Sequence, residues 1–145
     1  MRLHPIPNTQ VWLQGREYIE AAEILLDYNR LQPAVILASL SVEIFLKSFL
    51  AKRTEKGRST TAYGHSLTDL FRDIASHDAN ELLLCSMELE PATKLEQQLL
   101  KFDRIFIEAR YRYEPDAPYS IGSDIVYFAR HICETVFLLG KRRGV

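Results

Sequence analysis

The sequence predicts an all-α protein, an up-and-down bundle of four to five main helices occupying residues 1–145 as one domain. Three observations carry this. The run Pro33 to Arg53 (PAVILASLSVEIFLKSFLAKR) is the most apolar stretch of the chain, and a helix apolar on nearly every side belongs in the middle of a bundle. The segments around it space apolar residues three and four apart, the period of an amphipathic helix. No segment alternates as a half-buried strand does, and no repeat or domain boundary is visible.

The elements follow in order. Asn8 or Thr9 can cap a first helix. Its inner face holds Val11, Gly15, Tyr18, Ala22 and Leu25, widened by Trp12, Ile19 and Leu26. Asn29 suits a left-handed terminator, and the short link Arg30-Leu31-Gln32 makes the first two helices an antiparallel hairpin. Pro33 fits the first position of the second helix, which closes before the polar, two-glycine loop Thr54 to Gly64. Ser66-Leu67-Thr68-Asp69 reads as a capping box for a short third helix with Leu67, Leu70, Phe71 and Ile74 inward. Asp78-Ala79-Asn80-Glu81 opens a fourth around Leu82, Leu83, Leu84 and Met87, and Pro91 ends or kinks it. From Ala92 a fifth helix steps through Leu95, Leu99, Phe102, Phe106 and Ala109 and runs into Arg110. Pro115 and Pro118 break it. Ser120 or Ser123 caps the last helix, whose buried stripe is Ile125, Phe128, Ile132, Val136 and Leu139. Gly140 ends it, and Lys141-Arg142-Arg143 follows as a basic tail.

Composition narrows the function classes. Apolar residues make up 47% and charged residues 26% of 145 residues, and the net charge is -1. A chain of this size buries enough surface to fold without a disulfide or metal. No whole-molecule field points to nucleic acid, so binding of that kind needs a local patch. Cys85 and Cys133 form no CxxC pair and read as buried thiols. The start MRLHPIPNTQ has no signal-peptide core, and no eighteen-residue apolar run exists. A cytoplasmic location without a membrane partner is expected. His4, His65, His77 and His131 share no ligand spacing, and no HExxH, phosphate-binding glycine loop or nucleophile elbow is present. No metal or cofactor is expected.

Three groups could carry chemistry. Glu43 and Lys47 lie four apart on the central helix, acid first. They form either a partly buried ion pair that fixes register or the lining of a cleft. Glu43 is expected to be largely buried and bonded to Lys47 or to a group near His65 or Arg110. His65 is either a helix-entry residue or a general acid or base. Arg110-Tyr111-Arg112-Tyr113-Glu114 is the densest polar-aromatic cluster. It suits phosphate binding and ring stacking, or a structural patch of bonded tyrosines and paired arginines. Arg104 could extend a positive surface. Lys52, Arg53, Lys56 and Arg58 read as a solvated basic face.

Taken together, Tyr18, Ala22, Leu25 and Leu26, then Pro33-Ala34, Leu37-Ala38, Val42-Glu43 and Leu46-Lys47, then Gly64-His65-Ser66-Leu67 with Leu70-Phe71, then Arg110-Tyr111 and Tyr113-Glu114, resemble the HEPN superfamily of prokaryotic helical domains over about Tyr18 to Leu139. The resemblance implies a four- to five-helix bundle that commonly forms a two-fold homodimer. It also implies membership of a group in which many are metal-independent ribonucleases of toxin–antitoxin, phage-defence or CRISPR-associated systems. Their sites use an Arg and a His with four to six residues between them. Here Arg110 and Arg104 have no such histidine, and Arg130-His131 are adjacent. Arg58 and His65 fit the bare spacing but lie in the loop between helices two and three.

Family members without the motif serve as binding or partner modules. The expectation is therefore a non-catalytic module that binds RNA, a nucleotide or a partner protein, with a nucleotidyltransferase-type antitoxin as a companion the family implies. The ligand-binding residues expected are Arg110, Tyr111, Arg112, Tyr113, Glu43 and Lys47. The alternative is a divergent ribonuclease in which Arg110 or Arg112 stabilises charge and Tyr113, Glu114 or His65 replaces the usual base.

Overall fold

The computed structural model describes residues 5–53, 59–60, 64–110 and 122–145, with residues 52–53 and 59–60 described by their backbone alone. α1 (Thr9–Asp27) opens on Asn8, whose side chain accepts from the Val11 amide. It closes on Asn29 at φ 60. The Arg30 amide donates to the Leu25 carbonyl and the Asn29 amide to Leu26, the paired bonds of a Schellman motif.

α2 (Leu31–Lys47) starts two residues earlier than Pro33 and stops six before Arg53. Pro33 still falls in the first turn, where an amide has no helical partner to lose. α1 and α2 form the expected antiparallel hairpin: the Asn8 amide at one end donates to the Ser48 carbonyl at the other, 2.7 Å away. Beyond the helix, the loop predicted over Thr54 to Gly64 contains β2 (Ser59–Thr60), which pairs antiparallel with β1 (Lys52–Arg53) just before it. Lys56, Arg58 and most of the Thr54 to Gly64 loop lie outside the described residues.

α3 (Leu67–Asp73) is capped by Ser66, whose hydroxyl accepts from the Asp69 amide. Asp69 itself turns outward to Arg72. α4 (Ser76–Leu89) begins before the expected acid cap, which places Asp78 inside its first turn. The predicted continuous fifth helix is two pieces, α5 (Leu95–Lys101) and α6 (Ile105–Arg110). Asp103 sits in the break. Its carbonyl accepts from the Leu67 amide at 2.9 Å, and its carboxylate takes Ser66 Oγ, Thr68 N and Thr68 Oγ1 at 2.7–2.8 Å. An aspartate competes poorly for helix interiors and well for helix starts; here it caps another helix.

α7 (Asp124–Arg142) buries its whole predicted stripe. Ser123 precedes it without a side-chain cap bond, and Ser120 lies outside the described residues. Gly140 does not end the helix. The end is at Gly144, at φ 74, with the Val145 amide bonded to the Gly140 carbonyl and the Gly144 amide to Lys141. The basic tail is engaged: Arg142 pairs with Glu88, and Arg143 with Asp78 and Glu81.

α2 is the middle of the assembly and packs against α1, α7, α6 and α3. Phe45 and Leu46 are fully buried, each contributing about 1.5–3 kcal/mol through area removed from water. Its buried serines return their hydroxyls to the helix's own carbonyls, Ser39 to Val35 and Ser41 to Ala38, both at 2.6 Å. Bonded in this way, they avoid the cost of an unsatisfied buried hydroxyl. On α1 the inner face centres on Gly15, Ile19 and Ala22, one step round from Tyr18. Cys85 and Cys133 are buried and free, and burial pushes the Cys133 thiol up to about 11.

Gly15 is where α1 meets the Phe45 ring. A Cβ there would stand 2.6 Å from Phe45 Cε1, a ring that is fully buried. Gly15→Val is expected to lower stability by roughly 1–3 kcal/mol, read from the urea unfolding midpoint. An unchanged midpoint would sink this account of the α1–α2 contact.

Candidate functional site

A cluster of ionisable groups forms where α2, the entry to α3, and α6 meet. Glu43 projects from α2 and is 1% exposed. Its carboxylate accepts from His65 Nδ1 at 3.1 Å (Oε1) and 3.0 Å (Oε2). Lys47, one turn along α2, brings Nζ to 3.8 Å from Oε2. Burial pushes the Glu43 carboxyl above its usual range, against the opposing pull of the His65 bond and the charges of His65, Lys47 and Arg110. Arg110 thus acts on the same carboxylate from the end of α6. Its guanidinium lies 4.6 Å from the Phe106 ring centre, and the His65 ring lies 5.2 Å from that centre.

Three local features hold this arrangement. Gln32 Nε2 donates to the Ala109 carbonyl at 3.3 Å and ties α6 to the start of α2. Asp103 fixes the first turn of α3 and therefore the residue before it, His65. Burial pushes the Asp103 carboxyl up, but the bonds from Thr68 and Ser66 and the charge of Arg104 outweigh it, so it titrates below its usual range. Phe106 supplies an aromatic face between His65 and Arg110.

Glu43, Lys47, His65 and Arg110 are therefore brought together as one cluster. Tyr111, Arg112, Tyr113 and Glu114 lie outside the described residues. The sequence reading missed Phe106, which belongs to an apolar stripe, and Asp103, whose one signal was an acid interrupting that stripe. The other candidates are structural ties. Arg130 pairs with Glu23 of α1, Nε to Oε2 at 2.9 Å. His131 Nε2 bonds Ser86 Oγ at 2.8 Å between α7 and α4, and burial pushes the His131 imidazole down. Among the described residues no group of three or more His, Cys, Asp or Glu could hold a metal ion, and no helix is long and apolar enough to cross a membrane.

A family model for the HEPN domain matches residues 9–141. The chain belongs to the HEPN family. No curated protein and no solved structure gives a significant match. The matched span of this HEPN chain contains every residue of the cluster.

The two carboxylates of the site give opposite signs. Glu43 binds its proton more tightly folded than unfolded. Its contribution is therefore most favourable below the ordinary carboxylate range and declines as pH rises through the raised value. Glu43→Gln is expected to melt above wild type at pH 7.5, with the gap closing towards pH 4. Lys47 and His65, 17% and 40% exposed, remain solvated in that variant. Asp103 stabilises above the ordinary aspartate range and loses this as pH falls through its depressed value. Asp103→Asn is expected to cost about 1–2 kcal/mol at pH 7 and little in strong acid. Thermal melts of both variants across pH check the pair, and equal gaps at every pH would refute it.

Proposed function

We propose that this HEPN domain is a non-catalytic binding module whose Glu43–Lys47–His65–Arg110 cluster takes the phosphate of a nucleotide or of RNA. The carrying observation is a nearly fully buried carboxylate with Lys47, His65 and Arg110 gathered around it, Arg110 exposed and the His65 side chain 40% exposed. Guanidinium is the preferred phosphate partner, and hydrogen bonds between charged groups are the strong ones. Phe106 adds a ring face of the kind on which bases stack. Apolar side chains left exposed at the end of α1 (Ile24, and Tyr28 just after it) and on α7 (Tyr127, Phe137) support pairing of two copies. A cytoplasmic toxin–antitoxin or defence-type setting, with a nucleotidyltransferase-type partner, belongs to the same proposal.

One observation favours a second reading. Both Glu43 oxygens hold His65 Nδ1, so the Nε2 edge of the ring faces away from the acid. A carboxylate-oriented imidazole beside an arginine is the arrangement of a general base with a charge stabiliser. A ribonuclease built this way would need no metal.

One assay separates the two. A labelled RNA oligonucleotide with a terminal phosphate is incubated with the purified chain in EDTA, and binding and cleavage are read together. The module reading expects intact RNA, bound with at least about tenfold lower affinity by Arg110→Ala. Cleavage in EDTA that disappears in His65→Ala would overturn it in favour of the ribonuclease.

A further inference from the structure

His65 stands on the α3 side of the cluster, and Phe106 and Arg110 stand on the α6 side. One residue joins the two sides. Asp103 lies in the break just before α6. Its carbonyl accepts from the Leu67 amide at 2.9 Å. Its Oδ1 accepts from Ser66 Oγ, Thr68 N and Thr68 Oγ1 at 2.7–2.8 Å. Ser66, Leu67 and Thr68, which follow His65 directly, are thus all held by Asp103. In the other direction Asp103 leads into α6, whose far end is tied to α2 by the bond from Gln32 to Ala109. Phe106, in the first turn of α6, meets the His65 ring with centres 5.2 Å apart. The setting of His65 against the α6 side therefore rests on Glu43, which holds the ring nitrogen, and on Asp103, which holds the backbone that carries the ring.

We infer that Asp103 is a positioning residue of this site: it sets the gap between His65 and the α6 side, and through that gap the affinity for phosphate. This rests on the phosphate-binding reading above. Asp103 is no ligand for an anion. It titrates below its usual range and is ionised at neutral pH, so its charge alone repels a phosphate. Charge and positioning therefore predict opposite signs when Asp103 is removed. Acting through charge alone, its loss would take away a repulsion and an offset to Arg104, and phosphate would bind more tightly. Acting through position, its loss frees the entry to α3. The ring of His65 must then be ordered when the ligand arrives, and that ordering is subtracted from the affinity.

The test uses the full chain and the same labelled RNA oligonucleotide with a terminal phosphate, at neutral pH and fixed ionic strength. Affinities are compared at a temperature where circular dichroism shows every protein folded. Asp103→Ala is expected to bind about tenfold more weakly than wild type. Thr68→Val removes one donor bonded to Asp103 and leaves every charge in place; it is expected to bind about threefold more weakly. Nitrogen-15 NMR of the imidazole, recorded without RNA, reads the position of His65 directly. Asp103→Ala is expected to lose the Nδ1 signal characteristic of the bond to Glu43, which a contribution to stability alone would leave in place. If Asp103→Ala does not fold, Thr68→Val decides. Wild-type affinity in either variant, tighter binding by Asp103→Ala, or an unchanged His65 spectrum overturns the inference and leaves phosphate binding standing. No binding of the RNA by the wild-type chain, or binding that Arg110→Ala leaves unchanged, overturns the phosphate reading and this inference with it.

Discussion

The buried carboxylate of Glu43 is the constraint around which the middle of this protein is arranged. α2 is central because it is apolar on nearly every side, and Glu43 faces inward at 1% exposure. An ionised carboxylate in such a place costs several kcal/mol unless donors and opposite charge reach it. Lys47 arrives by helical periodicity alone. His65 arrives only because α3 begins at Leu67, and Arg110 only because α6 is tied back to α2 through Gln32. One acid on the central helix thus depends on the placement of two connections distant from it in sequence.

The same dependence separates what could be read from the chain from what could not. The all-α class, the Asn29 terminator, the buried stripe of α7 and the burial of Glu43 follow from local pattern and were legible. Apolar period and left-handed stops act over a few residues. The break between α5 and α6 was not legible. Leu95, Leu99, Phe102, Phe106 and Ala109 keep helical period straight through it, and the reason for the break is a capping bond to Ser66 and Thr68 from another part of the chain. A long-range cap has no local signature. Phe106 was hidden for a related reason: period alone cannot tell a ring that fills the core from a ring placed under His65 and Arg110.

The end of α7 gives a smaller version of this lesson. Gly140 and Gly144 offer the same residue type as a stop. The helix passes Gly140, which is buried, and turns at Gly144, where the 6→1 and 5→2 bonds form. Arg142 and Arg143 reach Glu88, Asp78 and Glu81 only because the helix continues that far. A stretch that looks like a basic tail is instead the fastening of α7 to α4.

Whether the Glu43 cluster is a structural ion pair or a site turns on which side of it is closed. A pair that serves packing alone is usually replaceable by apolar groups at no loss, because desolvation offsets most of the attraction. Here the acid is sealed in, while Arg110 is exposed and His65 half-buried. Glu43 also titrates high because of its burial, so the charge lowers stability at neutral pH. What the acid supplies is order among its neighbours. It fixes the imidazole by Nδ1 and offsets Lys47. Gathering positive charge at a surface before an anion arrives is the preorganisation a phosphate site needs. Under the phosphate-binding proposal, a charge that lowers stability while orienting the His65 ring is explained by the ligand it prepares for.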